Sequence, residues 1–262
     1  MTETNRTPPT PNSLYLFRIF SVRVVIPKTP YLPNDRIVEL IADFNLPKVA
    51  EIASQSERVL DVGGGRHVLP YATHVIDLEP FHSDLILDPI DSSPLRFSEE
   101  TWVCQDVCGD PFPFPDNFFD FSFCSHLLED VRDPLKVCKE LIRVSKSGYI
   151  EVPSRQREIY AKSRLFLLKL IFGNTPDIGF PHHRWFVEID DDKISFIAKN
   201  FHFYRDGRNF IKRSEIGRKM TAKESVIFLF WEGDFKYEEK FYIDEEEMRE
   251  FKNKTLKTLK NK

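Results

Sequence analysis

The segment Val59–Pro80, VLDVGGGRHVLPYATHVIDLEP, constrains the fold more than any other part of the chain. An apolar run ends in the three glycines Gly63, Gly64 and Gly65, and a second apolar run ends in Asp77, twelve residues after the last glycine. Glycines directly after a strand let a ligand approach the main chain, and an acid ending the next strand can accept hydrogen bonds from ribose hydroxyls. Pro70 lies midway between them, so the pattern predicts a short turn where such folds usually have a helix.

Strand-like segments recur with helices or crossovers between them, at 58–63, 73–78, 101–106, 119–125 and 147–154. A helix is predicted after Asp133 as the cap and Pro134 as the first residue, with a stop at Gly148. Apolar strands that alternate with helices indicate an α/β fold. We expect a Rossmann-like, open, mostly parallel seven-stranded sheet with helices on both faces and an antiparallel strand near the C-terminus.

The expected organisation has four parts. Residues 1–49 form a tail and a docking helix, 50–155 the cofactor-binding sheet core, 156–243 the acceptor-side insertion and closing strands, and 244–262 a charged C-terminal tail. Within these parts the patterns predict helices over 34–55, 160–173 and 190–200, a strand over 201–207, a hairpin turning at Glu232–Asp234 and an exposed final helix.

Charge and cysteine usage exclude several classes of function. The net charge is −4, which offers no electrostatic basis for binding DNA or RNA. The four cysteines form no CxxC pair, so we expect reduced cysteines in a cytoplasmic protein and no zinc finger. The apolar stretch 13–27 carries Arg18 and Arg23 and is too short to span a bilayer. A docking face is favoured there over a membrane-surface face.

Several ordered motifs between residues 57 and 155 resemble class I S-adenosylmethionine-dependent methyltransferases of the small-molecule type. They are LDVGGG, VIDLEP, the stretch QDVCGDPFPFPDNFFDFSFCSHLLEDVRDP, and KELIRVSKSGYIEVPS. The resemblance implies S-adenosylmethionine as cofactor and methyl transfer to a small-molecule or lipid- or glycan-linked acceptor. Its implied cofactor-binding residues are Asp61, Gly63, Gly64, Gly65, Arg66, Asp77, Leu78, Asp106, Val107 and Ser125. For Asp61, a role in the turn and a role in ligand contact both stay open.

The chain departs from this family pattern around the glycines. His67 replaces the third family glycine, and the shortened helix removes part of the dipole that would face the cofactor's carboxylate. We expect Arg66 or His67 to compensate by pairing with that carboxylate. The loop after Asp106 is longer than usual, and Asp130 stands where the family often has histidine.

Candidates for chemistry follow the fourth and fifth predicted strands. His126 is the predicted catalytic residue, either as a general base or as a hydrogen-bonding partner of a neighbouring loop. The acceptor side is assigned to Arg155, His183, Arg184 and Trp185, with Arg157 as a further cation; a packed tryptophan with exposed histidines is the alternative. No metal site is expected, because neighbouring histidines of an extended chain point in opposite directions.

Two other readings of the chain stay open. The missing helix and His67 favour a methyltransferase-fold binding subunit that has lost cofactor affinity. A nicotinamide-dependent oxidoreductase is less consistent, since residues 63–68 read GGGRHV and lack the GxGxxG spacing. The apolar stretch 163–172, with Lys162, Arg164 and Lys169 at its rim, predicts core, a lid, or contact with a lipid-like acceptor or membrane surface. The oligomeric state and the acceptor atom are not specified by any motif.

Overall fold

The computed structural model describes residues 16–19, 22–25, 42, 44–65, 67–82, 95–161, 180, 182–199, 209–241 and 245–260. The chain divides into two compact units, Met1–Val38 and Glu39–Lys262. The described part of the first unit is an antiparallel pair of strands, β1 (Leu16–Ile19) and β2 (Val22–Val25). The apolar stretch expected to form a docking face therefore contains a short strand pair.

Six strands form the central sheet of the second unit. They are β3 (Val59–Val62), β4 (His74–Asp77), β5 (Trp102–Cys104), β6 (Phe121–Ser125), β7 (Ser147–Pro153) and β12 (Val226–Glu232). The spatial order is β12-β7-β6-β3-β4-β5, with β12 antiparallel to β7 and all other neighbours parallel. This confirms the expected Rossmann-like sheet and its antiparallel strand. The described residues supply six strands to it, not the expected seven.

Helices cover both faces of this sheet. Along β3 the side chains alternate, so Leu60 and Val62 pack in the cluster that includes α2 (Pro134–Val144), while Val59 packs in the cluster that includes α1 (Leu46–Gln55). The two-sided burial explains why the strands are apolar along nearly their whole length.

Helix α2 begins as the sequence predicts and ends earlier. Asp133 accepts a hydrogen bond from the Lys136 N–H at 3.0 Å, and Pro134 occupies the first turn. The helix ends at Val144, and Gly148, predicted as its stop, lies inside β7. A Cβ on Gly148 would lie 2.6 Å from Ser122 Oγ, so the glycine is required by the close packing of β7 on β6.

The remaining short elements follow β7 in the chain. They are α3 (Arg155–Glu158), β8 (Tyr160–Ala161), β9 (Trp185–Asp190), β10 (Lys193–Ala198), β11 (Ile211–Lys212), α4 (Arg213–Ile216), α5 (Ala222–Ser225) and β13 (Lys236–Lys240). Strands β13, β10 and β9 form a second sheet in that order, and β8 pairs with β11.

Two predictions in this region are wrong. The segment expected as a helix over 190–200 is the strand β10, and the acids that resembled a helix start form a hairpin turn in which Asp191 has a φ of 50°. Aspartate tolerates this left-handed conformation better than most residues. The hairpin expected at Glu232–Asp234 is replaced by a crossing between sheets, because β12 pairs with β7 and β13 pairs with β10.

The predicted final helix is present as α6 (Glu245–Lys260), but one side of it is buried. Phe251 and Leu259 are nearly inaccessible and pack in a cluster with Phe186, Phe210 and Ile211. The segment therefore docks on the domain through an apolar face. The helix predicted over 34–55 is present only from Leu46, because residues 42, 44 and 45 are not helical and 34–41 lie outside the described residues. The helix predicted over 160–173 is wrong at its start, since Tyr160–Ala161 is the strand β8 paired with β11, and 162–173 lie outside the described residues, as does the strand predicted over 201–207.

Candidate active site

Four parallel strands have their carboxyl ends at one edge of the sheet. Strands β3, β4, β5 and β6 end there at Val62, Asp77, Cys104 and Ser125, respectively. In open parallel sheets ligands bind beyond the carboxyl ends of the strands. The topology therefore gathers the glycine loop and the predicted acids at this edge, as the sequence indicated.

The glycine loop has a conformation that needs glycine at two positions. Gly63 has a φ of 76° and Gly65 a φ of 54°, both in the left-handed region. A Cβ on Gly63 would lie 2.6 Å from the Leu127 side chain, whereas a Cβ on Gly65 would meet no atom within 4 Å. The loop is thus packed on one side and open at Gly65. No helix occurs among the described residues between β3 and β4, which confirms the predicted shortening, and Arg66 lies outside the described residues.

Asp61 lies under the glycine loop, near the end of β3, and stabilises the turn that follows the loop. It is buried, and its Oδ2 accepts a hydrogen bond from the Leu69 N–H at 2.7 Å. Burial raises the pKa of Asp61 to about 7, and the nearby Asp77 carboxylate acts in the same direction. Gly64 passes so close that a Cβ there would lie 2.9 Å from this carboxyl group. The hydrogen bond from Leu69 gives Asp61 a role in the turn, and its contact with a ligand stays a prediction.

Asp77 binds the loop to the second strand and keeps acceptor capacity. Its Oδ2 accepts the Gly65 N–H at 2.9 Å, and its Oδ1 accepts the Glu79 N–H at 2.8 Å. A carboxylate offers about four acceptor positions, so about two stay available to a ligand. The next residue, Leu78, is 68% exposed and presents an apolar surface at the same edge.

Asp106 is engaged by a partner that the sequence reasoning missed. Its Oδ2 lies 2.5 Å from Arg132 Nη1, and its Oδ1 accepts the Cys108 N–H at 2.8 Å. Partial burial acts to raise the pKa of Asp106, but the hydrogen bonds from Arg132 and Cys108 and the nearby positive charges together outweigh it and lower the pKa. The adjacent Val107 is buried. An arginine 26 residues downstream, just before the Asp133 cap, was the available signal.

His126 lies between two buried carboxylates. Its Nδ1 is 3.5 Å from Glu129 Oε1 and its Nε2 is 3.6 Å from Glu151 Oε1. Burial acts to lower the pKa of His126, but the two carboxylates outweigh it and raise the pKa to about 9. The residue follows the buried Ser125 and has a left-handed φ of 52°. An imidazolium has no free lone pair, so this geometry supports the hydrogen-bonding role over the base role near neutral pH.

Glu151 is a second residue that sequence reasoning missed. It is fully buried in β7, accepts the Ala42 N–H at 3.0 Å, and accepts the Tyr149 hydroxyl. Asn45 also reaches it, at 3.5 Å. The signal was an acid inside an apolar strand, which needs partners when buried.

The residues assigned to the acceptor side have different surroundings. Arg155 pairs with Glu188 and lies over the Phe251 ring, and Trp185 donates from Nε1 to the Val131 carbonyl at 2.8 Å. Only Arg184 is exposed. Arg155 and Trp185 therefore interact with other parts of the protein, whereas Arg184 is accessible to a ligand.

His183 is buried in a polar cluster of its own. Its Nδ1 lies 2.5 Å from Glu158 Oε1, and Glu158 also pairs with the buried Lys199. Residues 182–184 do not form a strand, and the His182 and His183 rings lie with their centroids 4.4 Å apart. The expectation that the two histidines point in opposite directions is therefore wrong, because it assumed an extended chain.

None of the helices that the structure describes is long and apolar enough to cross a membrane.

The sequence of the chain is similar in part to known methyltransferases. Residues 60–150 match the methyltransferase domain family. The chain is 32% identical over 105 residues to the ubiquinone/menaquinone biosynthesis C-methyltransferase UbiE of Vibrio cholerae, a match covering 37% of this chain and 40% of the relative. The chain thus spans less than half the length of that curated relative.

Two solved structures are also similar to it in part. A methyltransferase from Aquifex aeolicus is 21% identical, with a TM-score of 0.34, and the match covers 52% of this chain and 79% of that one. A possible histamine N-methyltransferase from Thermotoga maritima is 18% identical, with a TM-score of 0.33, and the match covers 50% and 59%.

Proposed function

We propose that this chain, whose residues 60–150 match the methyltransferase domain family, transfers a methyl group from S-adenosylmethionine to a small-molecule acceptor. The observation that carries the proposal is Asp77, which ends β4 beside the glycine loop with about two acceptor positions available. Two vicinal ribose hydroxyls need two such acceptors. The exposed Leu78 supplies an apolar surface next to them for a nucleoside base.

The residues present fit this cofactor at one edge of the sheet. The open backbone at Gly65 would permit close approach, Asp77 would hold the ribose, and Leu78 and Val107 would border the base. When bound, S-adenosylmethionine supplies a methyl group already activated by its sulfonium. The protein's own contribution is then to align an acceptor with the S–CH₃ bond, and such positioning contributes roughly 7–11 kcal/mol.

The residues around His126 position the acceptor side of the site. Glu129 and Glu151 hold the His126 imidazolium in place, and the Glu129 carbonyl accepts the Arg184 and Trp185 N–H groups at 2.7 and 3.2 Å. This anchors the loop before β9 against the end of β6. The exposed Arg184 is the cation best placed to meet an anionic acceptor.

The proposed acceptor is, more specifically, a lipid- or glycan-linked molecule. The proposed location of the protein is the cytoplasm. Support comes from the sequence of 163–172, which is apolar and flanked by basic residues. That segment lies outside the described residues. Incubating the protein with methyl-labelled cofactor and either a lipid extract or a water-soluble metabolite extract tests this class. Label in a soluble product that carries no sugar, with none in the lipid extract, would contradict it.

Calorimetric titration with S-adenosylhomocysteine tests the cofactor site directly. We expect micromolar binding by the wild type, and at least tenfold weaker binding by Asp77→Ala, because hydrogen bonds to a charged group contribute about 1.5–3 kcal/mol each. Asp116→Ala is the matched control, since that acid pairs with Arg143 and is largely exposed. Circular dichroism verifies that each variant is folded.

Three outcomes separate the main proposal from its two rivals. Loss of binding in Asp77→Ala alone supports the enzyme. A folded wild type that binds no S-adenosylhomocysteine would overturn the proposal in favour of a methyltransferase-fold binding subunit. Reduced nicotinamide that binds in its place, detected by fluorescence, would indicate an oxidoreductase.

A further inference from the structure

We propose that Asp130, His182 and His183 form a binding site for a divalent transition-metal ion of the zinc class. Their ligand atoms, one carboxylate oxygen and two imidazole nitrogens, all lie within 4.8 Å of one another. The proposal goes beyond methyl transfer and does not depend on it.

The distances leave a small closure to make. His183 Nε2 is 3.9 Å from Asp130 Oδ1, and the His182 ring lies at 84° to the His183 ring. Around a tetrahedral ion with bonds of about 2.0–2.2 Å, ligand atoms are separated by roughly 3.4 Å. The widest pair of ligand atoms must therefore approach by up to about 1.4 Å, and the His183–Asp130 pair by about 0.5 Å. Small rotations of the three side chains supply such movements.

Glu158 contacts His183 in the way that a carboxylate often holds the far nitrogen of a metal-bound histidine. It lies 2.5 Å from Nδ1, on the far side of the ring from Asp130. A carboxylate at Nδ1 fixes the proton on that nitrogen and leaves Nε2 free to bind a metal. Lys199 neutralises the other oxygen of Glu158, so the buried pair is compensated before any ion arrives.

Asp130 has a buried oxygen without a hydrogen bond. Its side chain is 41% exposed as a whole, yet Oδ1 is inaccessible and receives no donor among the residues that the structure describes. A buried polar atom without a partner is costly, and a cation removes that cost.

The donor set selects among metals. Two imidazoles and one carboxylate suit zinc and the neighbouring transition metals, whereas magnesium and calcium prefer oxygen ligands only. Three protein ligands leave a fourth position for water or another ligand, as in zinc sites that are not purely structural.

Cobalt(II) titration of chelator-treated full-length protein tests the site, because cobalt bound to nitrogen and oxygen ligands absorbs visible light. We expect one ion per chain, displaced by zinc and unaffected by excess magnesium. His182→Ala removes an exposed ligand and should weaken binding at least tenfold without affecting folding. Glu158→Gln should weaken it roughly 10–100-fold.

His82→Ala is the matched control, since His82 lies outside the cluster, and we expect it to bind cobalt like the wild type. Circular dichroism confirms that each variant is folded. A wild type that binds no cobalt would overturn the proposal. Equal affinity of the wild type, His182→Ala and Asp130→Asn would also overturn it, because binding would then occur elsewhere.

Discussion

His126 makes the stability of this protein depend on pH in a direction that can be measured. The ordinary pKa of histidine is near 6.5, and Glu129 and Glu151 raise it to about 9 in the folded chain despite burial. The folded state therefore binds a proton more tightly than the unfolded state. The stabilisation is fully present below pH 6.5 and is lost as the pH rises through 9.

The magnitude follows from the size of the shift. A change of about 2.5 pKa units corresponds to about 3 kcal/mol, at 1.36 kcal/mol per unit. The side chain is 26% exposed, so solvent screening removes only part of this value. We expect the free energy of unfolding to fall by about 2–3 kcal/mol between pH 6.5 and 9.5 through this residue.

Two measurements check the prediction. Imidazole Cε1 chemical shifts followed against pH should give His126 an apparent pKa near 9, and the signal is assigned by its loss in His126→Gln. Urea unfolding at pH 6.5 and 9.5 should show the fall in the wild type. A His126 signal that titrates at or below 6.5 would refute the reasoning, and would restore the residue as a candidate general base near neutral pH.

Three further predictions concern the glycine loop and its edge. Gly63→Ala should lower the free energy of unfolding by roughly 1–3 kcal/mol more than Gly217→Ala in urea titrations, since both have positive φ but only Gly63 meets Leu127. Asp61→Asn should stabilise the protein by about 2 kcal/mol more at pH 8 than at pH 5 in urea titrations. The reason is that the raised pKa of Asp61 makes the wild type lose stability as the pH rises from about 4 to 7. A stability difference between variant and wild type that does not change with pH would contradict this. Leu78→Ser should change stability by less than about 0.5 kcal/mol, as expected for an exposed position, yet weaken S-adenosylhomocysteine binding several-fold in calorimetry.

The parts of the fold that the sequence predicts best depend on local patterns. Strand β3, the glycine turn and strand β4 follow directly from the apolar runs and the glycines, and α2 follows from Asp133 and Pro134. Each signal lies within about ten residues of the structure that it specifies.

The errors occur where distant partners decide the outcome. Lys193–Ala198 has a mixed pattern compatible with a helix, and it becomes a strand because β9 and β13 pair with it on both sides. Likewise, β12 and β13 resemble a hairpin in sequence, but β7 offers β12 a longer partner of seven paired residues. Propensity is a weak guide when pairing buries both faces of a segment.

The surroundings of the candidate site also depend on contacts that no local motif encodes. Asp130 and His183 are 53 residues apart in sequence, and two backbone N–H groups, of Arg184 and Trp185, join them by donating to the Glu129 carbonyl. That double hydrogen bond fixes the turn at His182 before β9 begins, so neighbouring histidines lie on the same side instead of alternating. The turn thereby brings both imidazoles to one carboxylate.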